Sequence, residues 1–151
     1  MIIYLGADHR GFALKEHIKK FLEREGYELA DCGNTERDAE DDYPDFASLV
    51  ATVVAKDPAA RRGILACGSG VGVDVTANKF AGIRSVLAFS PEEVRLARAD
   101  DDVNILSLPA DFIDNHDAEK MVEIFLRTPF KGEVKYKRRI NKIKKIVTKT
   151  S

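Results

Sequence analysis

The chain has 151 residues, 44% of them hydrophobic and 32% charged, and a net charge of −1 at pH 7. This composition is typical of a soluble globular protein and excludes a disordered chain, and no apolar run reaches the length of a membrane-spanning helix. At this length we expect a single domain that covers residues 1–151.

Strand and helix patterns alternate along the chain. Short apolar runs predict five buried strands at residues 2–6, 27–32, 63–67, 84–89 and 103–108. Apolar residues at steps of three or four predict helices at residues 10–25, at 46–54 and around 118–125. A further helix is predicted to begin within residues 73–80, and the cap Ser90, followed by Pro91, Glu92 and Glu93, predicts another helix start. The alternation predicts an α/β fold, a three-layer α/β/α sandwich with a five-stranded parallel sheet.

Charge is distributed unevenly. Nine of the 24 Lys and Arg residues, but only one of the 25 Asp and Glu residues, lie in residues 131–151, which we predict to form a basic C-terminal helix. Such a helix could bind nucleic acid, contribute to a phosphate site or dock on an acidic body. Nucleic-acid binding is the weakest of these hypotheses, because the rest of the chain is acidic and no aromatic stacking surface accompanies the lysines.

The cysteines indicate the cellular compartment. Cys32 and Cys67 are far apart, and the N-terminal residues lack the pattern of a secretory signal. We therefore expect a reduced, cytoplasmic protein without disulfides and without a membrane partner. The two cysteines and three histidines have no metal-ligand spacing, so we expect no metal site.

The motif richest in chemistry is CGSGVG at residues 67–72, between a predicted strand and a predicted helix. Its three glycines allow a tight turn that points backbone amides into one concavity, which would bind a phosphate or the oxyanion of an intermediate. The spacing fits neither a P-loop nor a dinucleotide fingerprint. Amide dipoles that face the Cys67 thiol would favour the thiolate, which could act as a nucleophile or a base. The alternative is a small buried residue at a strand end.

Three further groups are candidates for binding. Asp8 and His9 follow the first strand and could contact sugar hydroxyls or phosphate, although Asp8 could instead cap the next helix. Ser69 could bind a ligand or cap a helix. The acidic run at residues 100–102 is typical of a solvated turn, and nothing in the spacing of distant residues supports a divalent cation there.

Taken together, these motifs resemble the family of ribose-5-phosphate isomerase B and the galactose-6-phosphate isomerase subunits. The resemblance covers nearly the whole chain and is carried by ADHRGFALK (7–15), DYPDFA (42–47), GILACGSGVG (63–72), ANKFAGIR (77–84) and KRRI (137–140). It implies an aldose–ketose isomerase of a sugar phosphate, most simply ribose 5-phosphate, that works through an enediolate without metal or cofactor. It also implies a homodimer, or a dimer of dimers, with active sites at the subunit interface.

The resemblance assigns roles to individual residues. Cys67 matches the base that moves a proton between C1 and C2, and Ser69 matches a residue that transfers the hydroxyl proton. The positions that match substrate-binding residues are Asp8, His9, Tyr43, Gly68, Gly70, Val71, Gly72 and Arg139.

Four site positions depart from the family pattern. Asp100 and Asp101 stand where the family usually has His and Asn, the His being the ring-opening group. Asp111 and Lys135 stand where it has phosphate-binding arginines. We expect Asp100 to serve in ring opening, with a pKa raised by Asp101 and Asp111, and we expect Asp101 and Lys135 to contact the substrate. Because carboxylates repel phosphate, the alternatives are an isomerase of a different or unphosphorylated sugar and a non-catalytic sugar-binding paralogue.

Overall fold

The computed structural model describes residues 1–150, with side chains described for residues 1–146. The strands are β1 (Ile2–Ala7), β2 (Glu28–Asp31), β3 (Arg61–Cys67), β4 (Ser85–Leu87) and β5 (Ile105–Pro109). The helices are α1 (Phe12–Arg24), α2 (Tyr43–Ala55), α3 (Val71–Ala77), α4 (Pro91–Asp101), α5 (Asn115–Arg127) and α6 (Val134–Thr150). Residue 151 of the predicted C-terminal helix lies outside the described residues.

The five strands form one parallel sheet in the order β2-β1-β3-β5-β4. One face packs against α1, α4 and α5, and its core includes Ile18, Val94 and Phe125. The opposite face packs against α2 and α3, and its core includes Val50 and Val73. The predicted three-layer α/β/α sandwich is therefore confirmed. None of the helices in the described part of the chain is long and apolar enough to cross a membrane.

Most predicted boundaries shift by one to three residues, and two of the shifts have a clear structural reason. The strand predicted at 84–89 ends at Leu87, because β4 is an edge strand that pairs only with β5. The helix predicted from residue 46 begins at Tyr43, with Pro44 in its first turn. Proline is favoured in a first turn because the amide that it lacks would have no helical partner there.

The strand order determines where a ligand can bind. From β1 the chain passes to β2 on one side, then crosses through α2 to β3 on the other side of β1. In such sheets the crevice for ligands opens at the carboxyl ends of the strands that flank this reversal. The register pairs Ala7 with Ala66, so Asp8 and Cys67 lie at the same edge of the sheet, at the ends of neighbouring strands.

Candidate active site

The loop between β3 and α3 requires glycine at its last position. Gly70 has a φ of +73°, in the left-handed region that favours glycine. A Cβ at Gly70 would also lie 2.6 Å from Leu87 Cδ1 and 3.0 Å from the Pro109 nitrogen. This turn lets α3 begin at Val71, with only three residues between it and the end of β3. The first-turn amides of a helix have no partner within the helix. The Val71 amide donates to Ser69 Oγ, so only the other first-turn amides can serve a ligand.

Cys67 is held rigidly at the start of this loop. Its side chain is buried, and its carbonyl accepts a hydrogen bond of 2.9 Å from the Ala110 amide. The carbonyl of Gly68 accepts another of 2.9 Å from the Asp111 amide. These bonds to the chain after β5 fix the position of the thiol relative to the loop.

A cavity of about 320 Å³ opens at the carboxyl end of β3. It is lined by Asp8, Arg10, Tyr43, Cys67, Gly68, Ser69, Val71, Gly72 and Val75. The structure thus brings together seven of the predicted site residues, from three separate segments of the chain. Tyr43 packs closely on the first turn of α3, because a Cβ at Gly72 would lie 2.6 Å from Tyr43 Cζ. A larger groove of about 640 Å³ along α2 contains none of the predicted site residues.

Asp8 does not cap α1, because the N-cap of that helix is Gly11 and no side chain bonds to its first amides. The Asp8 side chain is buried, and Oδ1 accepts hydrogen bonds of 3.0 Å from the amides of Arg10 and Gly11, which shapes the turn before α1. The same residue also lines the cavity. The turn therefore holds a carboxylate beside Cys67.

His9 is held by a carboxylate that the sequence analysis did not single out. Its backbone amide donates to Asp41 Oδ1 at 2.8 Å, and Nδ1 lies 2.9 Å from the same oxygen. Asn34 Nδ2 donates to the other oxygen of Asp41 at 3.0 Å. A carboxylate at Nδ1 fixes the orientation of the imidazole ring. In the sequence, Asp41 is one acid among several in the loop at residues 33–45, and only the fold shows which one reaches His9.

Ser69 is exposed at the rim of the cavity. Its Oγ accepts a hydrogen bond of 3.3 Å from the Val71 amide. An accepting hydroxyl keeps its own proton available to donate. Ser69 therefore supports the first turn of α3 and can exchange a proton with a ligand.

The remaining predicted site residues lie elsewhere in the same chain. Asp100 and Asp101 end α4, directly before β5, whereas Cys67 lies beside the last residue of β5. The register from the Gly63–Ile105 pair to the Cys67–Pro109 pair separates these two edges of the sheet by about 13 Å at 3.3 Å per residue. The other two predicted residues, Lys135 and Arg139, lie in α6. Lys135 Nζ is 4.9 Å and Arg139 Cζ is 5.8 Å from the centroid of the Tyr136 ring. None of the four lines the Cys67 cavity of its own chain.

The expected rise in the pKa of Asp100 is wrong. Lys131 Nζ donates a hydrogen bond of 2.9 Å to Asp100 Oδ1 and lowers the pKa of this carboxyl below its ordinary value. Asp111 cannot raise it within one chain, because it follows β5 at the opposite edge of the sheet. Asp100 is therefore an ionised carboxylate at neutral pH, suited to accept a proton rather than donate one.

Arg10 and Asp111 form an ion pair between Arg10 Nη2 and Asp111 Oδ2 at the mouth of the cavity. The sequence alone gives Arg10 no role and presents Asp111 only as an acid that repels phosphate. The two residues are 101 positions apart, so no local pattern could have shown the pair. The ion pair offsets the negative charge of Asp111, which was a reason to expect an unphosphorylated substrate.

The described residues contain no group of three or more His, Cys, Asp or Glu side chains that could hold a metal ion. The reactive side chains of the cavity are instead a thiol, a hydroxyl, a carboxylate and a guanidinium, beside the loop amides. Such a set is suited to proton transfer with electrostatic stabilisation of an oxyanion.

Comparison with known proteins agrees with this chemistry. A family model described as Ribose/Galactose Isomerase matches residues 3–143. A probable ribose-5-phosphate isomerase B from Mycoplasma genitalium is 41% identical over 141 residues, which are 93% of this chain and 92% of the relative. The sequence similarity thus covers both the Cys67 cavity and most of α6.

Solved structures are similar over the same extent. Ribose-5-phosphate isomerase B from Mycoplasma genitalium, with bound ribulose 5-phosphate, superimposes with a TM-score of 0.92 at 40% identity, covering 96% of this chain and 95% of the other. The Clostridium thermocellum enzyme superimposes with a TM-score of 0.94 at 36% identity and covers both chains completely, at 100%.

Proposed function

Because this chain belongs to the ribose/galactose isomerase family, we propose that it interconverts ribose 5-phosphate and ribulose 5-phosphate. The observation that carries the proposal is the buried Cys67 thiol at the start of the glycine loop, residues 68–70, in one cavity with Asp8 and Ser69. This interconversion of an aldose and a ketose phosphate is a step of the pentose phosphate pathway.

The geometry supports a mechanism of proton transfer. The Cys67 thiolate removes the proton from C2 of the open-chain aldose, and the electron pair forms the C1–C2 double bond of an enediolate. Amides of residues 68–72 other than Val71 stabilise the negative oxygen, and one such interaction contributes about 2.7–4 kcal/mol to lowering the barrier. Cys67 returns the proton to C1, while Ser69 moves the hydroxyl proton from O2 to O1. The product is the ketose, with no net gain or loss of atoms.

The purified protein should convert ribose 5-phosphate to ribulose 5-phosphate with a kcat/KM at least about 100-fold above that for free ribose, because a charged hydrogen bond to phosphate contributes about 1.5–3 kcal/mol and several can form. A coupled assay for ketose formation with both sugars measures this ratio. Equal use of the two sugars would favour the alternative of an unphosphorylated substrate. A folded protein with no turnover of either sugar would favour the non-catalytic paralogue.

We further propose that the protein acts as a homodimer, alone or as a dimer of dimers, in which each site combines residues of two subunits. The support is that Asp100, Asp101, Lys135 and Arg139 lie away from the Cys67 cavity of their own chain. Large apolar side chains near that cavity are also exposed, which is typical of a surface that contacts another protein. They are Tyr43, Val71, Val75, Phe89 and Phe112.

In this arrangement, Asp100 of the partner subunit accepts the proton of the anomeric hydroxyl during ring opening, and His9 protonates the ring oxygen. The lowered pKa of Asp100 suits the first role, and the contact between His9 and Asp41 suits the second. Ring opening precedes the proton transfer at Cys67 only when the substrate is cyclic.

Asp100→Asn should therefore impair the reaction from ribose 5-phosphate more than the reverse reaction. Ribulose 5-phosphate cannot close a ring through its phosphorylated O5, whereas ribose 5-phosphate is mostly cyclic. With the variant, the forward rate should stop rising as enzyme is added, because uncatalysed ring opening becomes limiting, while the reverse initial rate stays proportional to enzyme. Forward rates that remain proportional to enzyme concentration throughout would exclude Asp100 from ring opening.

Both cysteines are free thiols. A catalytic thiol must stay reduced, and the cytoplasm keeps thiols reduced. We therefore infer a cytoplasmic location for the protein.

A further inference from the structure

Arg10 lies directly over Gly68, the first glycine of the glycine loop. A Cβ at Gly68 would be 2.1 Å from Arg10 Cζ and 2.2 Å from Arg10 Nε, so the guanidinium occupies the space that any other residue at Gly68 would need. Arg10 also lines the cavity that contains Cys67. A cation is thus held against the loop at the entrance to the site.

The position of Arg10 is fixed from two sides, by its own backbone and by Asp111. The Arg10 amide donates to Asp8 Oδ1, and Gly11 packs so closely on β3 that a Cβ there would lie 2.3 Å from the Ala66 carbonyl oxygen. On the other side, Asp111 binds the guanidinium through its side chain and the Gly68 carbonyl through its backbone amide. Arg10 is therefore fixed relative to Cys67 by its own turn and by the chain after β5.

The guanidinium retains hydrogen-bonding capacity for a ligand. Its Nη2 donates to Asp111, and within residues 1–146 its Nε and Nη1 make no hydrogen bond. The side chain is 55% exposed, so a ligand in the cavity can reach these groups. Among the residues that line the cavity, Arg10 alone carries a positive charge.

We propose that Arg10, oriented by Asp111, binds the phosphate group of the substrate. The proposal rests on the proposed function, since it identifies the group that holds the phosphate end of that substrate. The cavity already contains the Asp8 carboxylate and the Cys67 thiol. The carboxylate, and the thiol once it is a thiolate, would repel a phosphate dianion unless a cation offsets them. A guanidinium offers a planar set of donors that matches the oxygens of a phosphate, and Asp111 keeps it at the cavity mouth.

The ion pair also keeps Arg10 fully charged. Asp111 raises the pKa of the Arg10 guanidinium, and the nearby Asp8 and Cys67 add smaller contributions in the same direction. The positive charge of Arg10 also attracts the Cys67 thiol when that thiol becomes negative in the reaction.

The test compares Arg10→Ala and Arg10→Lys with Arg95→Ala. Arg95 is a matched control, because it is a surface arginine paired with Glu92 at 2.6 Å and does not line the cavity. Arg10→Ala should raise the KM for ribulose 5-phosphate and the inhibition constant of inorganic phosphate by about 10- to 100-fold each. Changes of this size are expected because the variant loses a charged hydrogen bond to phosphate. Its kcat should change less than about threefold, because binding of a remote group affects KM first. Arg10→Lys should fall between wild type and Arg10→Ala, and Arg95→Ala should match wild type.

Two results would overturn the assignment. Unchanged KM and phosphate inhibition in a folded Arg10→Ala protein would make the ion pair purely structural. A large loss of kcat with unchanged phosphate inhibition would place Arg10 at the enediolate instead. Calorimetric titration of wild type and Arg10→Ala with inorganic phosphate keeps the test independent of turnover, so an inactive wild type would contradict the proposed function and leave the Arg10 comparison decisive. If Arg10→Ala does not fold, Arg10→Gln provides the same comparison.

Discussion

Cys67→Ala should lower kcat for ribose 5-phosphate by about 10²- to 10⁴-fold, the usual contribution of a general acid–base residue. The thiol is buried at the end of β3, beside the glycine loop, and no other side chain of the cavity combines a basic atom with this position. Alanine removes the base and leaves the loop amides in place, so substrate affinity should change little. Steady-state kinetics with titration calorimetry of ribulose 5-phosphate separates the two effects.

Cys32 provides the matched control. It is half-buried at the end of β2, and burial and the neighbouring Asp31 raise the pKa of its thiol, so it stays protonated at neutral pH. It does not line the cavity, and Cys32→Ala should therefore keep wild-type kcat. A Cys67→Ala protein with near-normal turnover would remove this thiol from the mechanism.

A mixture of two inactive variants should recover activity if the sites are shared between subunits. Cys67→Ala and Arg139→Ala alter residues that lie apart in one chain, in β3 and in α6, and each homodimer should be nearly inactive. In a mixed dimer, one site receives both substitutions and the other receives none. Random exchange of subunits at equal concentrations should restore about a quarter of wild-type activity, because half of the dimers are mixed and each has one intact site out of two.

The matched control is a mixture of Cys67→Ala and Asp8→Ala. These two residues line the same cavity of one chain, so every site in every dimer carries at least one substitution. This mixture should stay inactive after subunit exchange. Absence of recovery in the first mixture, with subunit exchange demonstrated by mass spectrometry, would place Arg139 in the site of its own chain or outside any site.

The sequence predicts the Cys67 loop well because its chemistry is local. Gly70 needs a positive φ and Cys67 ends an apolar run, and both properties are encoded within a few residues. The strand order, in which β5 lies between β3 and β4, depends on how helices pack across the sheet and has no local signal.

The charge pairs of the site are determined by tertiary structure. Asp111 neutralises Arg10, and Lys131 lowers the pKa of Asp100, across separations of 101 and 31 residues. From the sequence alone, Asp100 and Asp111 look like unpaired acids that would repel phosphate. In the fold each has a cation beside it, and this changes the expected chemistry of both.

The central claim is that this chain isomerises ribose 5-phosphate by moving a proton between C1 and C2 with Cys67 as the base. Proton NMR of ribose 5-phosphate in D₂O, with wild type and with Cys67→Ala, tests it most directly. We predict that wild type forms ribulose 5-phosphate that carries solvent deuterium at C1, because the thiol exchanges its proton during the enediolate stage. We predict that Cys67→Ala forms product and deuterated substrate at least about 100-fold more slowly. Absence of product from wild type, or deuterium incorporation by Cys67→Ala at the wild-type rate, would contradict the claim.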